Sequence, residues 1–288
     1  MIRKADDHSI EKRLGAKLVV EGLRRAGFEA YFVGGCVRDF VRGVSPGDYD
    51  IATSAPPDQV IRLFERTVAV GAKFGVVVVC EGGFSYEVAT FRSDEAYEDG
   101  RRPTQVRFSS AREDVLRRDF TINGLLMDPE TNDIVDYVGG REDIGKKIIR
   151  TIGDPAVRFS EDYLRMLRAI RFAAHLDFHL EDGVHEAMVR HTAKIREISA
   201  ERVQEELNKI LTRSGARRGL ELMADTGLLK HILPEVDRTR GVAQPPRFHP
   251  EGDVWRHTLI MMEILSNENR PEAEAALAWG ALLHDVGK

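Results

Sequence analysis

Apolar side chains at Ile10, Leu14, Leu18 and Leu23 predict an amphipathic helix over residues 9–26, with those four on its buried face. Ser9 would be its N-cap and Gly27 its stop, and it would pack on a sheet. Tyr31-Phe32-Val33 predicts a short strand that breaks at Gly34-Gly35. A helix is expected from Val37, and Ser45-Pro46-Gly47 then turns the chain into a second strand over 48–52. Ser54-Ala55-Pro56-Pro57 opens a helix that runs to about residue 64. The β-branched run at 76–79 and the alternating stretch at 85–91 predict a hairpin across Gly82-Gly83. Residues 92–108 lack apolar periodicity, hold Gly100, Pro103 and dense charge, and predict a mobile loop. Further on the period becomes helical. Residues 160–176 predict one helix with Ser160 as N-cap and acidic residues in its first turn, and 182–230 predict several more. Gln244-Pro245-Pro246 then breaks the pattern.

Composition narrows the class. The 288 residues are 42% hydrophobic and 31% charged, enough for a packed core in two or three domains. A net charge of −5 provides no global basic field, so any nucleic-acid contact must come from local patches. Residues 190–218 hold eight Lys/Arg against four Asp/Glu, a local excess that suits either an RNA-backbone patch or an ordinary helical surface. Cys36 and Cys80 are the only cysteines and lack metal-type spacing, so no disulfide framework is expected. Residues 1–16 are charged and amphipathic rather than leader-like, and no apolar run reaches bilayer length. A soluble cytoplasmic protein without membrane contact is the expectation.

Two stretches carry candidate chemistry. Along a strand, Asp48 and Asp50 would point the same way and repel each other unless a cation lies between them. The natural cation is Mg²⁺, a hard ion held by one or two carboxylates plus substrate phosphates. Gly34-Gly35 can bring backbone N–H groups and a helix start to an anion, with Arg38 in reach. Asp-x-Asp alone is most often a solvated turn, and Gly-Gly alone is most often just a turn. Joined by a short helix, they read as a nucleotidyl-transfer site.

The second stretch is Glu161-Asp162-Tyr163-Leu164-Arg165. On one helix, Asp162 and Arg165 would be neighbours, and the plain reading is an ion pair worth a few tenths of a kcal/mol. The other reading is chemical. Ionised Asp only accepts hydrogen bonds and Arg only donates. Cytosine and adenine each present an amine donor beside a ring-nitrogen acceptor, whereas uracil and guanine present the reverse. A rigid Asp–Arg pair can therefore take C and A and refuse U and G. Each unpaired buried group in a wrong complex costs about 1–3 kcal/mol. Arg168 and Arg171 follow at steps of about 300°, so they face progressively away from such a base.

These motifs resemble those of the class II tRNA nucleotidyltransferase (CCA-adding) and bacterial poly(A) polymerase family, in order over roughly residues 20–240. The resemblance implies an α/β head, a polymerase beta-type nucleotidyltransferase mixed sheet with helices, over residues 1–150. An all-α neck and body over 151–243 would serve base selection and RNA binding. It implies catalytic and metal roles for Asp48 and Asp50. Glu87, in the strand Tyr86-Glu87-Val88, is then either a third catalytic carboxylate or a solvent-facing edge residue. Gly35 and Arg38 would hold nucleotide. So would Arg118, Asp119 and Asn123, from a stretch that looks like the family's sugar- and phosphate-holding motif. Asp162 and Arg165 match the base-selecting signature, with Arg168 and Arg171 beside it, and Glu201, Arg202 and Glu205 would brace that helix. Tyr97, Asp99-Gly100-Arg101 and Pro103 have the look of the flexible loop that helps the family change nucleotide preference. The implied reaction is template-independent addition of C and A to tRNA 3′ ends from CTP and ATP with Mg²⁺. Poly(A) addition or partial CCA addition share the same motifs.

Residues 244–288 resemble the opening of an HD domain, a metal-dependent phosphohydrolase module, through His257, His284 and Asp285. That site needs a further aspartate beyond Lys288, so a second divalent metal is expected only in a longer chain, and a structural role is expected here. Rival readings are an HD phosphohydrolase whose head only binds nucleotide, and a non-catalytic RNA-binding protein. The joint presence of Asp48, Asp50, Asp162 and Arg165 speaks against the last.

Overall fold

The computed structural model describes residues 2–71, 75–97, 103–266 and 274–288. The chain folds as two compact units, Met1–Lys146 with Arg150–Gly153, and Lys147–Ile149 with Asp154–Lys288.

The first unit begins with α1 (Ile2–Arg25), β1 (Ala30–Val33), α2 (Gly35–Val41), β2 (Asp50–Thr53) and α3 (Pro57–Leu63). β3 (Thr67–Gly71), β4 (Val76–Glu81), β5 (Phe84–Thr90), β6 (Arg92–Tyr97) and β7 (Pro103–Phe108) follow. It ends with α4 (Ala111–Leu116), β8 (Leu125–Met127), β9 (Ile134–Asp136) and α5 (Gly140–Lys146). Seven strands form one sheet in the order β3-β4-β5-β2-β1-β8-β9. β2 and β5 run parallel and the other neighbours antiparallel, so the sheet is mixed as expected. The hairpin across Gly82-Gly83 pairs Glu81 with Phe84. Phe32, Ile51, Val79 and Tyr86 are buried in its core.

Three local expectations fail here. α1 starts well before Ser9, which lies inside the helix. Its buried face is Ala16, Val19, Val20 and Leu23, whereas Ile10, Leu14 and Leu18 are about half exposed. Both rows have helical spacing, and the row of smaller side chains lets the helix lie close on the sheet. The segment 92–108 is not simply a loop: β6 and β7 pair from Arg92↔Phe108 to Tyr97↔Pro103. Backbone pairing needs no apolar alternation, so the pattern missed it. Asp99, Gly100 and Arg101 lie outside the described residues.

The second unit is helical apart from β10 (Ile148–Ile149) and β11 (His179–Leu180), which pair in parallel. Its helices are α6 (Pro155–Glu161), α7 (Leu164–Leu176), α8 (Asp182–His191), α9 (Ala200–Thr212) and α10 (Ala216–Asp225). α11 (Leu228–Ile232), α12 (Pro234–Asp237), α13 (Val254–Leu265) and α14 (Ala275–Leu283) complete it. The single helix expected from Ser160 is instead two. Asp154 caps α6 by accepting from the Val157 N–H, and Pro155 takes the first turn, where its missing N–H costs nothing. The chain leaves helical geometry at Asp162 (φ −159°, ψ 104°) and α7 begins two residues later. Among the described residues, no helix is long and apolar enough to cross a membrane.

Candidate functional site

In the first unit the sheet brings three stretches together. Gly34 joins β1 to α2 at φ 75°, ψ −127°, a conformation open to glycine. A Cβ there would lie 3.6 Å from Arg118 Nη1 and 3.9 Å from Asp50 Oδ2. The turn, the first residue of β2 and the end of the α4 segment thus converge at one point. Gly35 follows, and a Cβ on it would lie 3.6 Å from Arg38 Nη2. Arg38 Nη1 donates to Asn123 Oδ1 at 2.9 Å, and Asn123 Nδ2 donates to Asp119 Oδ1 at 3.3 Å. The same Asp119 oxygen accepts from the Phe120 N–H at 2.8 Å. Gly35, Arg38, Arg118, Asp119 and Asn123, predicted as nucleotide-holding residues from distant stretches, are therefore neighbours.

The carboxylates differ from the sequence expectation in one respect. β2 starts at Asp50, so Asp48 lies in the preceding turn and strand alternation does not align the pair. Tyr49 between them is buried, its ring 5.2 Å from that of Phe32. Glu87 is exposed on β5, an interior strand beside β2, in the register position next to Asp50 because Val88 pairs with Ile51. The edge-strand reading of Glu87 is thereby excluded. The Asp50 carboxyl is pushed up to about 6, by desolvation first and then by Glu87, with Asp48 adding less and Arg118 pulling the other way. Three carboxylates gathered at one place, two of which push the Asp50 carboxyl up, fit a hard divalent cation, which would relieve the repulsion. Cys36, behind Asp50, is buried and pushed up to about 12, so it is inert as a nucleophile.

Asp114 was not singled out in the sequence. It is buried and accepts from Arg117 Nη2 at 2.6 Å and from Arg118 Nη2 at 2.9 Å. Burial pushes its carboxyl up, but Arg118 and Arg117 outweigh this and hold it below its ordinary value. It fixes the direction of Arg118. The capping box of α4, Ser110 with Glu113, sets the helix that carries it. Its spacing from Arg117 and Arg118 was the available signal.

In the second unit, Asp162 and Arg165 do not form a pair on one helix. Asp162 lies at the break between α6 and α7, where Oδ1 accepts from the Leu164 N–H at 3.1 Å and Oδ2 from Arg202 Nη2 at 2.7 Å. Arg165 is buried and donates to the Arg158 carbonyl at 2.8 Å and to Glu161. Each side chain is held separately, which fixes both without having them consume each other. Arg202 does reach this stretch, but Glu201 and Glu205 are exposed. The buried carboxylate of α9 is Glu206, which accepts from Arg171 Nε at 2.7 Å and from Lys209 at 3.0 Å. Arg171 thus braces α7 against α9, and its guanidinium lies 4.2 Å from the Phe172 ring centroid. Arg168 is half-buried, 5.5 Å from the same ring.

His257, His284 and Asp285 come together with ligand atoms within 4.8 Å of one another. His249 and Glu251, absent from the sequence reading, join them through His257. His257 Nδ1 lies 2.6 Å and His249 Nδ1 3.1 Å from Glu251 Oε1. The Glu251 carboxyl falls to about 2 through its own backbone N–H first and then these imidazoles. An acceptor-only partner requires Nδ1–H, and His284 likewise faces the Ala281 carbonyl through Nδ1 at 2.8 Å. On His257 this arrangement leaves Nε2 to face the cluster as a ligand atom, while His284 Nε2 lies 3.2 Å from Asp285 Oδ2, so the two would share any bound ion.

Comparison with known proteins places these features. Residues 30–150 match the poly A polymerase head domain, and residues 177–239 match the family described as the probable RNA and SrmB-binding site of polymerase A. The chain is 47% identical over 247 residues to a CCA-adding enzyme of a Geobacillus species, covering 85% of this chain and 59% of that protein. It is 47% identical over 223 residues to the CCA-adding enzyme of Bacillus pumilus, covering 77% and 55%. Among solved structures it resembles the Bacillus stearothermophilus CCA-adding enzyme in complex with CTP, with 42% identity and a TM-score of 0.73. That match covers 78% of this chain and 55% of the other. The chain thus spans little more than half the length of these relatives.

Proposed function

Since this chain belongs to the class II tRNA nucleotidyltransferase and bacterial poly(A) polymerase family, we propose that it carries the transferase machinery of an enzyme adding C and A to tRNA 3′ ends. Its substrates would be CTP and ATP, and its cofactor a divalent cation, most simply Mg²⁺. The observation that carries this reading is the convergence of Gly34, Asp50 and Arg118 beside Glu87. The CTP complex of the related solved enzyme and the names of the curated relatives support the substrate class.

Asp48 and Asp50 would hold the cation, with Glu87 beside them. When bound, it supplies positive charge against the transferring phosphate. The residues of this chain do the positioning. Gly34 and Gly35 keep the turn free of side chains, so a phosphate can approach the backbone closely. Arg118, steered by Asp114, donates to a phosphate oxygen, and Arg38 with Asn123 and Asp119 holds the sugar end. Glu87, open to solvent, accepts the proton of the attacking 3′-hydroxyl. Orientation and charge complementarity account for the rate, because no covalent intermediate is needed. In the helical unit, Asp162 supplies acceptor edges and Arg165 donor edges for base choice.

The test uses tRNA ending at the discriminator base, supplied with each nucleoside triphosphate singly and then with CTP and ATP together. Addition that stops after C-C-A supports the reading. A long A tail would point to poly(A) polymerase, and UTP accepted as readily as CTP would defeat it.

The gathered ligand atoms of His257, His284 and Asp285 favour a second reading of the C-terminal stretch as a metal-holding module. In protein carrying Asp50→Asn, so that the head takes no ion, Zn²⁺ or Mn²⁺ should raise the melting temperature, and adding His284→Ala should remove the effect. No metal-dependent shift in either protein would retire it.

A further inference from the structure

The turn that carries Asp48 is fastened to α1 rather than to the sheet. Asp48 precedes β2, and its side chain is 87% exposed. Lys12 on α1, only 19% exposed, donates from Nζ to the Gly47 carbonyl at 2.6 Å and to Asp48 Oδ1 at 2.5 Å. One turn earlier in the helix, the hydroxyls of Ser9 and Ser45 are 2.8 Å apart. The helix is itself pinned at this height. Buried Tyr86, the neighbour of Glu87 on β5, donates its hydroxyl to the Lys12 carbonyl at 2.8 Å. At Gly15 a Cβ would come 2.3 Å from that hydroxyl oxygen, so α1 approaches β5 as closely as a glycine permits. Lys12 is therefore held over the carboxylate and is not a freely moving surface lysine.

An exposed ion pair contributes little to stability. Its consequence here is for what else can bind Asp48. Resting on the reading of Asp48 and Asp50 as the cation-holding carboxylates, we propose that Lys12 is a resident cation that competes with the metal for Asp48. Its ammonium occupies Oδ1 while the site is metal-free and offsets part of the repulsion among Asp48, Asp50 and Glu87. Its second hydrogen bond, to Gly47, keeps the turn docked when the metal takes the carboxylate. Competition and simple bracing predict opposite signs. A brace, once removed, leaves Asp48 looser and the metal more weakly held. A competitor, once removed, leaves the metal more tightly held.

The experiment titrates Mn²⁺ into protein carrying His257→Ala and His284→Ala, so that the C-terminal cluster takes no ion, and reads free Mn²⁺ by electron paramagnetic resonance. Lys12→Gln can still donate to the Gly47 carbonyl but has no charge. It should bind Mn²⁺ about three- to tenfold more tightly at low salt, and the gain should shrink as salt screens the charge. Lys12→Arg keeps the charge and should stay within about twofold of the parent. Unchanged or weaker binding in Lys12→Gln would overturn the proposal. Asp50→Asn separates the two levels. If it abolishes Mn²⁺ binding while Lys12→Gln changes nothing, only the role of Lys12 falls. If Asp50→Asn binds like the parent, the carboxylate reading falls and this proposal with it.

Discussion

Asp50 in the head and Glu206 in the helical unit are both ringed by charge, of opposite sign. Asp50 has Glu87 and Asp48 for company and rises to about 6, with Arg118 as its opposing influence. Glu206 is more deeply buried, which alone would push it up, yet Arg171 and Lys209 outweigh burial and hold it below its ordinary value. Asp114 follows the second pattern within the head itself. The helical unit neutralises buried Glu206 internally and uses it to lock α7 to α9. The head does the same one step away from its site, then leaves like charges together at the site. A fold gains nothing from that second arrangement by itself, so it points to a cation from outside.

The largest expected break in this comparison is Asp50→Ala. It should lower C and A incorporation about a thousandfold or more, measured on tRNA ending at the discriminator base, because charge complementarity at the phosphate is lost. Activity near that of the parent would remove the head from the chemistry. Glu206→Ala should act on stability instead. It strands buried Arg171 and should cost about 3–4 kcal/mol in urea unfolding. The depressed Glu206 carboxyl contributes stability that is present above its ordinary 4.5 and is lost as pH falls through its lower folded value. The deficit of the variant should therefore narrow in acid, and a pH-independent deficit would mean lost packing rather than lost charge. Smaller still, Asp162→Ala should relax the preference for C and A over U by about ten- to a hundredfold while sparing metal binding. Equal loss of both would count against separate tasks for the two units.

How much of this was legible depended on how local each cause was. The Gly34-Gly35 turn and the Gly82-Gly83 hairpin are set by neighbours a few residues away, and the sequence located both, whereas it placed Asp48 in a strand that starts only at Asp50. Asp162 falls inside the expected single helix because Glu161, Asp162 and Tyr163 are all compatible with helix, although Asp154 followed by Pro155 is a stronger N-terminal signal than Ser160. Choosing Glu205 over Glu206 is a one-residue error on a helix, about 100° of rotation. It could be resolved only by knowing that Arg171, 35 residues away, arrives on that side. The face of α1 failed for a related reason: two apolar rows competed, and the sheet beneath selected the row with smaller side chains. His249 and Glu251 became visible only once the fold brought them beside His257.

The finest test reverses the usual sense of a mutation. The Asp50 carboxyl rises from an ordinary 3.8 to about 6 in the folded protein. Below 3.8 it is neutral in both states and contributes nothing. Above about 6 it is ionised in both, and the folded state bears the full penalty of desolvation and of Glu87. Stability should therefore fall as pH rises through this window, and Asp50→Asn should not share the fall. A buried group shifted this far would lose about 3 kcal/mol. Although protein crowds its carboxyl, Asp50 is exposed at the start of β2, so screening reduces the expected gain to about 1 kcal/mol at pH 7.5, with none at pH 3.5. Chemical denaturation of the metal-free protein at both pH values measures it. Added Mg²⁺ should then stabilise the parent at pH 7.5 and leave the variant unmoved. If Asp50→Asn is instead the less stable protein at both pH values, Asp50 holds the fold together as Glu206 does, and the contrast between the two regions disappears.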